Sequence, residues 1–183
     1  MSSETFIRHC SPTLAGLKTG SLFGERFEND DKMRENIRFW NKIFTGKGLR
    51  VIPIKNRTGR TLIYIFRISE LEHSLEGSVA TEILSERGYP KENTNSKVAY
   101  LSRRIRESED FPHEIGLFLG YPAEDVKGFI EEGSENCKYC GCWKVYKNVD
   151  KAIKTFSKYK KCTDIYSRLY SEGSSIEKLT VKK

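Results

Sequence analysis

The sequence lacks a long apolar run, a secretory signal and an even number of cysteines. No apolar segment approaches the ~20 residues needed to cross a bilayer, and the polar residues 1–4 contain no apolar signal core. The sequence has five cysteines, and because this number is odd they cannot all form intrachain pairs. Three of them lie between Cys137 and Cys142. We therefore expect a cytoplasmic protein with reduced thiols and no membrane partner.

Internal repeats and low-complexity linkers are also missing. A chain of 183 residues with 37% hydrophobic and 11% aromatic residues is long enough to bury one core. We predict a single domain over residues 1–183, with a polar tail that frays from about residue 171.

Acidic residues are scarce in one segment. Residues 138–161 hold eight lysines and one acid, Asp150, which equals the whole net charge of +7. A lysine-rich helix face is usually solvated surface. Nonspecific contact with a polyanion is the alternative, and the lysines that would make it are Lys151, Lys154, Lys158 and Lys161.

Local patterns in the first half predict strands and helices. Pro12, Gly16 and Gly20 argue against a helix over residues 6–23, so we predict one or two short strands there. A helix should begin near Asp30, capped by Asn29 or Asp30. Its apolar stripe has helical spacing: Met33, Ile37, Trp40 and Phe44.

Residues 49–55 and 60–68 are rich in β-branched and aromatic residues, and residues 56–59 between them have turn chemistry. They predict a hairpin whose second strand, apolar on both faces, lies centrally. A capping box of Ser69 and Glu72 should begin one helix that Gly88 ends.

Apolar periodicity continues into the second half of the chain. It predicts a helix over residues 94–106, a helical hairpin over 111–133, a strand over 143–146 and a helix over 149–170. The last helix should bury Ile153, Phe156, Tyr159, Cys162, Tyr166 and Leu169. The expected fold is α+β, with a small, mostly antiparallel sheet of three or four strands covered by about six helices.

Three motifs resemble a known family. Residues 9–18 read HCSPTLAGLK, residues 111–122 read FPHEIGLFLGYP with Asp125 and Val126 following, and residues 143–146 read WKVY. Together they resemble a bacterial family catalogued as domain of unknown function 3793. The resemblance implies a single domain found mainly in anaerobic bacteria, and supplies no activity, cofactor or catalytic residue.

Cys10, His113 and Glu114 suggest one reaction class. The positive end of a helix dipole disfavours a cationic His113 and favours anions, so a Cys10 thiolate there could act with both residues. Such a trio would support a thiol-dependent hydrolase or transferase. Alternatively, His113 and Glu114 satisfy backbone donors at the helix start, while Cys10 packs as a small apolar residue.

The cysteine cluster suggests a different class, a metal or redox module. Cys137, Cys140 and Cys142 could ligate zinc or an iron–sulfur centre, with Cys10, His9 or Cys162 as a distant fourth ligand. The spacing supplies only half of a usual four-ligand site, because no second cysteine pair follows.

The leading hypothesis is a binding or accessory protein for an unknown small molecule or protein partner. Its pocket would lie between the His9-Cys10 segment and the helical hairpin of residues 111–122. Besides Cys10, His113 and Glu114, the expected lining residues are His9, Lys18, Tyr121, Trp143, Lys144 and Tyr146.

Overall fold

The structure is a computed structural model that describes residues 1–55, 60–108 and 110–183. The helices are α1 (Ser3–Leu14), α2 (Asp30–Phe44), α3 (Ile68–Glu76), α4 (Ser78–Glu86), α5 (Thr94–Glu107), α6 (Ile115–Phe118), α7 (Ala123–Glu132), α8 (Val149–Ser171) and α9 (Ile176–Leu179). The strands are β1 (Gly20–Glu25), β2 (Leu49–Lys55), β3 (Thr61–Arg67), β4 (Tyr139–Cys140) and β5 (Lys144–Val145). The predicted α+β class is confirmed.

The main sheet has β3 at its centre. Its strand order is β1-β3-β2 and both pairings are antiparallel, with Ile65 opposite Ser21 on one side and Val51 on the other. Side chains alternate along β3, so Ile63 and Ile65 face one layer of helices while Tyr64 and Phe66 face the other. The predicted central strand is therefore confirmed, whereas the predicted turn at 56–59 lies outside the described residues.

Each face of the sheet carries its own core. Helices α1, α2 and α9 and the C-terminal part of α8 pack against Ile63 and Ile65, with Phe6, Trp40 and Phe44 at the centre. Helices α3 to α7 pack against Tyr64 and Phe66. A smaller cluster of Trp143, Val145 and Ala152 joins β5 to the start of α8.

The prediction of strands over residues 6–23 is wrong for its first half, since α1 is a helix through Pro12. The Ser2 hydroxyl caps it by accepting from the Thr5 amide at 3.2 Å. Phe6, Cys10 and Leu14 are fully buried at a spacing of four residues. Burial of that stripe outweighs the backbone hydrogen bond that Pro12 cannot make, and the helix ends before Gly16, whose φ is +73°.

Other boundaries also differ from the prediction. The helix expected from residue 69 to 87 is two helices separated by Gly77, and the predicted Ser69–Glu72 capping box is absent because α3 begins at Ile68 without a side-chain cap. In the long helix α8, Ala152 is buried while Ile153 is 39% exposed, so Ile153 does not belong to the inner face.

The C-terminal segment is ordered rather than frayed. Ile176 and Leu179 are buried, and the Val181 amide donates to the Leu14 carbonyl at 3.0 Å. Arg67 also donates to the Val181 carbonyl at 2.8 Å. These contacts attach residues 176–181 to the end of α1, and they correct the expectation of a loose tail.

Within residues 1–55, 60–108 and 110–183, the helices are too short or too polar to span a bilayer.

Candidate functional site

Two neighbouring cavities lie where α6 and α7 meet β5 and the start of α8. The first has a volume of about 270 Å³ and is mostly apolar, and the second has about 550 Å³ and is more polar. Both are lined by Tyr121, Asp125 and Trp143. These three side chains therefore connect the two parts of the site.

Asp125 holds this region together from the first turn of α7. Its carboxylate is buried and accepts from the indole N–H of Trp143 at 2.8 Å and from the amides of Tyr146 and Lys147 at 2.8 and 3.1 Å. Gly128, one turn further along α7, leaves room for the Tyr146 ring, which a Cβ there would meet at 2.5 Å. The β5 segment is thus fixed against α7 by one carboxylate and one close contact.

Stacked rings form the wall between the two cavities. Tyr121 stacks on Trp143 with centroids 5.0 Å apart and planes at 26°, and Trp143 meets the edge of Phe156 at 4.5 Å. Offset and edge-on ring pairs of this kind are favourable beyond their buried area. Tyr121 and Trp143 therefore line both cavities, and Phe156 packs against Trp143 without lining either.

The first cavity combines an apolar lining with two nitrogen groups. Its apolar walls are Phe111, Ile115, Val126 and Phe129. His113 is exposed and packs its ring against the edge of Phe129 at 4.9 Å, and Lys144 is half-buried. The cavity can therefore take an apolar group and place a polar or charged group next to an imidazole and an ammonium.

The second cavity is polar and faces the first turns of α8. Lys147, Asn148, Lys151 and Thr155 contribute to it, together with Glu124 from α7. Burial raises the pKa of Tyr159 in its wall to about 12, so that hydroxyl stays protonated at neutral pH. Lys147 and Lys151 against the Glu124 carboxylate leave this surface weakly positive.

Comparison with known proteins places the chain in a family. Residues 6–180 match a family model described as a protein of unknown function (DUF3793). The chain belongs to the DUF3793 family. The resemblance expected from the three motifs is confirmed, and the match runs from α1 into the residue after α9. Searches of curated proteins and of solved structures give no match.

The DUF3793 family model assigns no functional role to any residue. The predicted site residues are therefore compared only with their positions in the structure. Of the residues predicted to line a pocket, His113, Tyr121, Trp143 and Lys144 line the first cavity. Lys18 lies next to this group, with its Nζ 5.5 Å from the Tyr121 ring centroid.

Two of the expected pocket residues lie elsewhere. His9 stacks on Phe23 at 5.3 Å, on the α1 side of the sheet. Tyr146 lines neither cavity. Its hydroxyl donates to the Gly133 carbonyl at 2.5 Å and its amide donates to Asp125, so it holds the hairpin region against α7.

The proposed catalytic trio of Cys10, His113 and Glu114 stays a prediction, and its members belong to segments that pack on different faces of the main sheet. Cys10 is fully buried in the core on the Ile63 and Ile65 face, where burial raises the pKa of its thiol. The segment with His113 and Glu114 belongs to the opposite face, because the adjoining Ile115 packs with the Tyr64 and Phe66 core. A nucleophile and its base need hydrogen-bond reach, and Cys10 packs in a different core cluster from Ile115, which adjoins His113 and Glu114.

Glu114 has structural partners instead. Its carboxylate is 1% exposed, accepts from the Tyr89 hydroxyl at 2.9 Å, and pairs with Arg104 at 2.8 Å and Arg87 at 3.6 Å. These contacts tie the start of the helical hairpin to α5 and to the turn after α4. A buried carboxylate with two arginine partners is held in place rather than free for proton transfer.

The cysteine cluster lies around the β4–β5 hairpin. Cys140 and Cys142 are exposed and Cys137 is half-buried, and all three are free thiols. In the part of the chain that the structure describes, no three or more His, Cys, Asp or Glu side chains are grouped to hold a metal ion. Metal or redox chemistry at these cysteines stays a prediction.

Sequence reasoning missed the role of Asp125. Asp125 lies in the first turn of α7, where an acid is favourable for the helix dipole alone, so the sequence gives no direct sign of a second role. A usable signal was present, since Trp143 begins the predicted strand over residues 143–146 and its indole N–H needs an acceptor when buried.

Proposed function

We propose that the protein binds a small organic acid, with the apolar body of the ligand in the first cavity and its carboxylate at Lys144. The observation that supports this most directly is a half-buried lysine in the lining of an apolar cavity. No acid forms an ion pair with Lys144 within the described residues. A ligand anion would supply the missing partner.

Asp125 does not supply that partner, although it lines the same cavity. Its two oxygens already accept three N–H groups, from Trp143, Tyr146 and Lys147. The Lys144 charge is therefore available to a ligand. His113 adds a second group able to hydrogen-bond a carboxylate at the exposed side of the cavity.

The size of the cavity limits the ligand. A volume of about 270 Å³ is near the lower end for small-molecule sites, which suits a compact metabolite rather than a large cofactor. The walls are mainly aromatic and aliphatic, which favours a ring or a short alkyl chain as the buried part.

The test uses three ligands with one apolar body and different heads: 4-phenylbutyrate, 4-phenylbutanol and 4-phenylbutylamine. Titration calorimetry and quenching of Trp143 fluorescence should rank them acid, alcohol, amine. One half-buried ion pair of about 1 kcal/mol corresponds to about fivefold between acid and alcohol. Failure of all three to bind at millimolar concentration, or equal binding of acid and amine, would refute the proposal.

Two variants separate the two parts of the ligand. Lys144→Met should abolish the preference for acid over alcohol and preserve alcohol binding, whereas Lys138→Met, an exposed lysine of the same hairpin region, should change neither. Phe111→Ser removes an exposed wall of the cavity and should weaken all three ligands by a similar factor. Thermal melts of each variant establish that the fold is retained.

A further inference from the structure

Two lysines in the lining of the second cavity have no acid partner. Lys147 and Lys151 lie four residues apart where α8 begins, and both line the cavity. Within residues 1–55, 60–108 and 110–183, neither ammonium forms an ion pair. Lys160, further along the same helix, pairs instead with Asp164 at 2.9 Å. The second cavity therefore offers two positive charges to an anion.

The same lining contains an acceptor that these lysines do not use. Glu124 lies in the first turn of α7, and in the described part of the chain its carboxylate makes no hydrogen bond or ion pair. Asp125 also lines the cavity, but its oxygens already accept three N–H groups. A ligand of the second cavity thus meets two cations at the start of α8 and one carboxylate acceptor on α7.

A tyrosine hydroxyl lies at the other end of the cavity. Tyr159 is half-buried in the cavity wall, and its hydroxyl makes no hydrogen bond to any residue that the structure describes. Burial raises the pKa of Tyr159 to about 12, so the hydroxyl keeps its proton at neutral pH. The eight residues from Lys151 to Tyr159 span about 12 Å of helix. These groups therefore suit an extended ligand rather than a lone anion.

We propose that the second cavity binds a sugar phosphate, with its phosphate at Lys147 and Lys151 and its hydroxyls at Glu124 and Tyr159. A phosphate monoester is largely a dianion at neutral pH and forms strong hydrogen bonds with ammonium groups. Sugar hydroxyls both donate and accept, so they can donate to a carboxylate that would repel a simple anion.

The size and walls of the cavity fit this class of ligand. Its volume of about 550 Å³ lies within the range usual for small-molecule sites, roughly 300–1,000 Å³. The rings of Tyr121 and Trp143 provide apolar surface against which the C–H groups of a sugar can pack. The site differs from the one proposed for an organic acid, because Lys144 lines the first cavity and not the second.

The experiment titrates isotope-labelled protein at neutral pH with glucose 6-phosphate, glucose and inorganic phosphate, and follows the amides of Ala152 and Thr155 by NMR. Glucose 6-phosphate should bind at least about tenfold more tightly than glucose, because two partly solvated ion pairs together contribute about that factor. It should also bind more tightly than inorganic phosphate, which lacks the hydroxyls. Equal binding of glucose 6-phosphate and inorganic phosphate, or no saturable shift at millimolar ligand, would overturn the proposal.

Two double variants with the same charge test the position of the phosphate. Lys147→Met with Lys151→Met should remove most of the preference for glucose 6-phosphate over glucose. Lys154→Met with Lys158→Met changes two exposed lysines of α8 that do not line the cavity, and should keep the preference. Equal loss in both would mean that the charge of the helix alone attracts the ligand, which contradicts the proposed site.

Two tyrosine variants test whether the ligand lies inside the cavity. Tyr159→Phe keeps the ring and removes the hydroxyl, and it should weaken glucose 6-phosphate by about threefold, as expected for the loss of one hydrogen bond. Tyr139→Phe, at a tyrosine that lines neither cavity, should change nothing. Unchanged affinity in Tyr159→Phe would place the ligand outside the cavity and overturn the proposal. Lys144→Met should leave glucose 6-phosphate binding intact, so this proposal and that of the organic acid can fail separately.

Discussion

The indole N–H of Trp143 donates to the buried carboxylate of Asp125 across 2.8 Å, joining β5 to α7 over 18 residues of sequence. The same carboxylate orients the amides that lead into α8. The shape of both cavities therefore depends on one acidic side chain that contacts no ligand in the proposed binding mode.

Removing that carboxylate should damage the whole site. Asp125→Ala leaves three N–H donors unpaired, and we expect a loss of about 2–4 kcal/mol in the free energy of unfolding. Near-UV circular dichroism should show that Trp143 loses its fixed environment. Glu124→Ala, at the exposed neighbouring position, should cost less than about 1 kcal/mol. Equal effects of the two substitutions would contradict the assigned role of Asp125.

Arg67, at the end of β3, performs a similar joining role. It is 1% exposed, and its guanidinium donates to the carbonyls of Thr13, Leu14 and Val181 at 2.6 to 2.8 Å. Arg67→Met should lower the free energy of unfolding by about 3 kcal/mol, since the two buried carbonyls of Thr13 and Leu14 and the partly buried carbonyl of Val181 lose a charged donor.

Hydrogen exchange can locate the effect of Arg67→Met. The Val181 amide, which donates to Leu14, should exchange faster in the variant, while amides in the centre of α5 should change only through the global stability. Arg168→Met, at an exposed site with a 4.0 Å ion pair to Glu172, is the control and should change neither. Unchanged protection at Val181 would show that the C-terminal segment is held without Arg67.

The parts of the fold that sequence predicts well are those with strong local signals. Helix α2 begins after Asn29, one of the two predicted caps, which accepts from the Lys32 amide at 2.9 Å, and the apolar run of β3 identifies it as the central strand. Helix α1 was missed because Pro12 and Gly16 were given more weight than the four-residue spacing of Phe6, Cys10 and Leu14. The burial of these side chains against the sheet makes the segment helical. This burial is a tertiary effect, which the local sequence pattern does not show.

The candidate site was predictable only in part. His113, Tyr121, Trp143 and Lys144 were expected near a pocket, and they do line one. Cys10 packs on the other face of the sheet from Ile115 and Val126, because the side of the sheet on which a helix packs is set by the chain's path and not by local pattern. The contact between Asp125 and Trp143 was missed for a similar reason, since the two residues are 18 positions apart in the sequence.

Thiol reactivity distinguishes the buried from the exposed cysteines. Burial raises the pKa of Cys10 and Cys162, the latter to about 11, while Cys140 is exposed at the hairpin. At pH 8, iodoacetamide should modify Cys140 rapidly and leave Cys10 and Cys162 unmodified until denaturant is added. Peptide mapping after timed quenching gives the rates. Rapid modification of Cys10 in the folded protein would restore the thiol-enzyme hypothesis.

The lysine face of α8 makes the last prediction. Its members are exposed and lack an acid partner in the described part of the chain: Lys151, Lys154, Lys158 and Lys161. If they contact phosphate, duplex DNA binding should weaken by roughly 0.9 log units per contacted phosphate for each tenfold rise in salt. Changing all four to glutamine should flatten that slope, while each change should alter the free energy of unfolding by no more than about 0.5 kcal/mol.

A control variant with the same net charge tests whether DNA binding depends on the position of the lysines or only on the total charge of the protein. It replaces four exposed lysines elsewhere with glutamine: Lys42, Lys91, Lys178 and Lys182. Fluorescence anisotropy over a salt series should show micromolar or weaker, sequence-indifferent binding that the α8 variant loses and the control largely keeps. Equal loss in both variants would mean that net charge alone attracts the DNA. A tight complex that persists at high salt or discriminates between sequences would instead make this face a specific nucleic-acid site, because released counterions could not account for such binding.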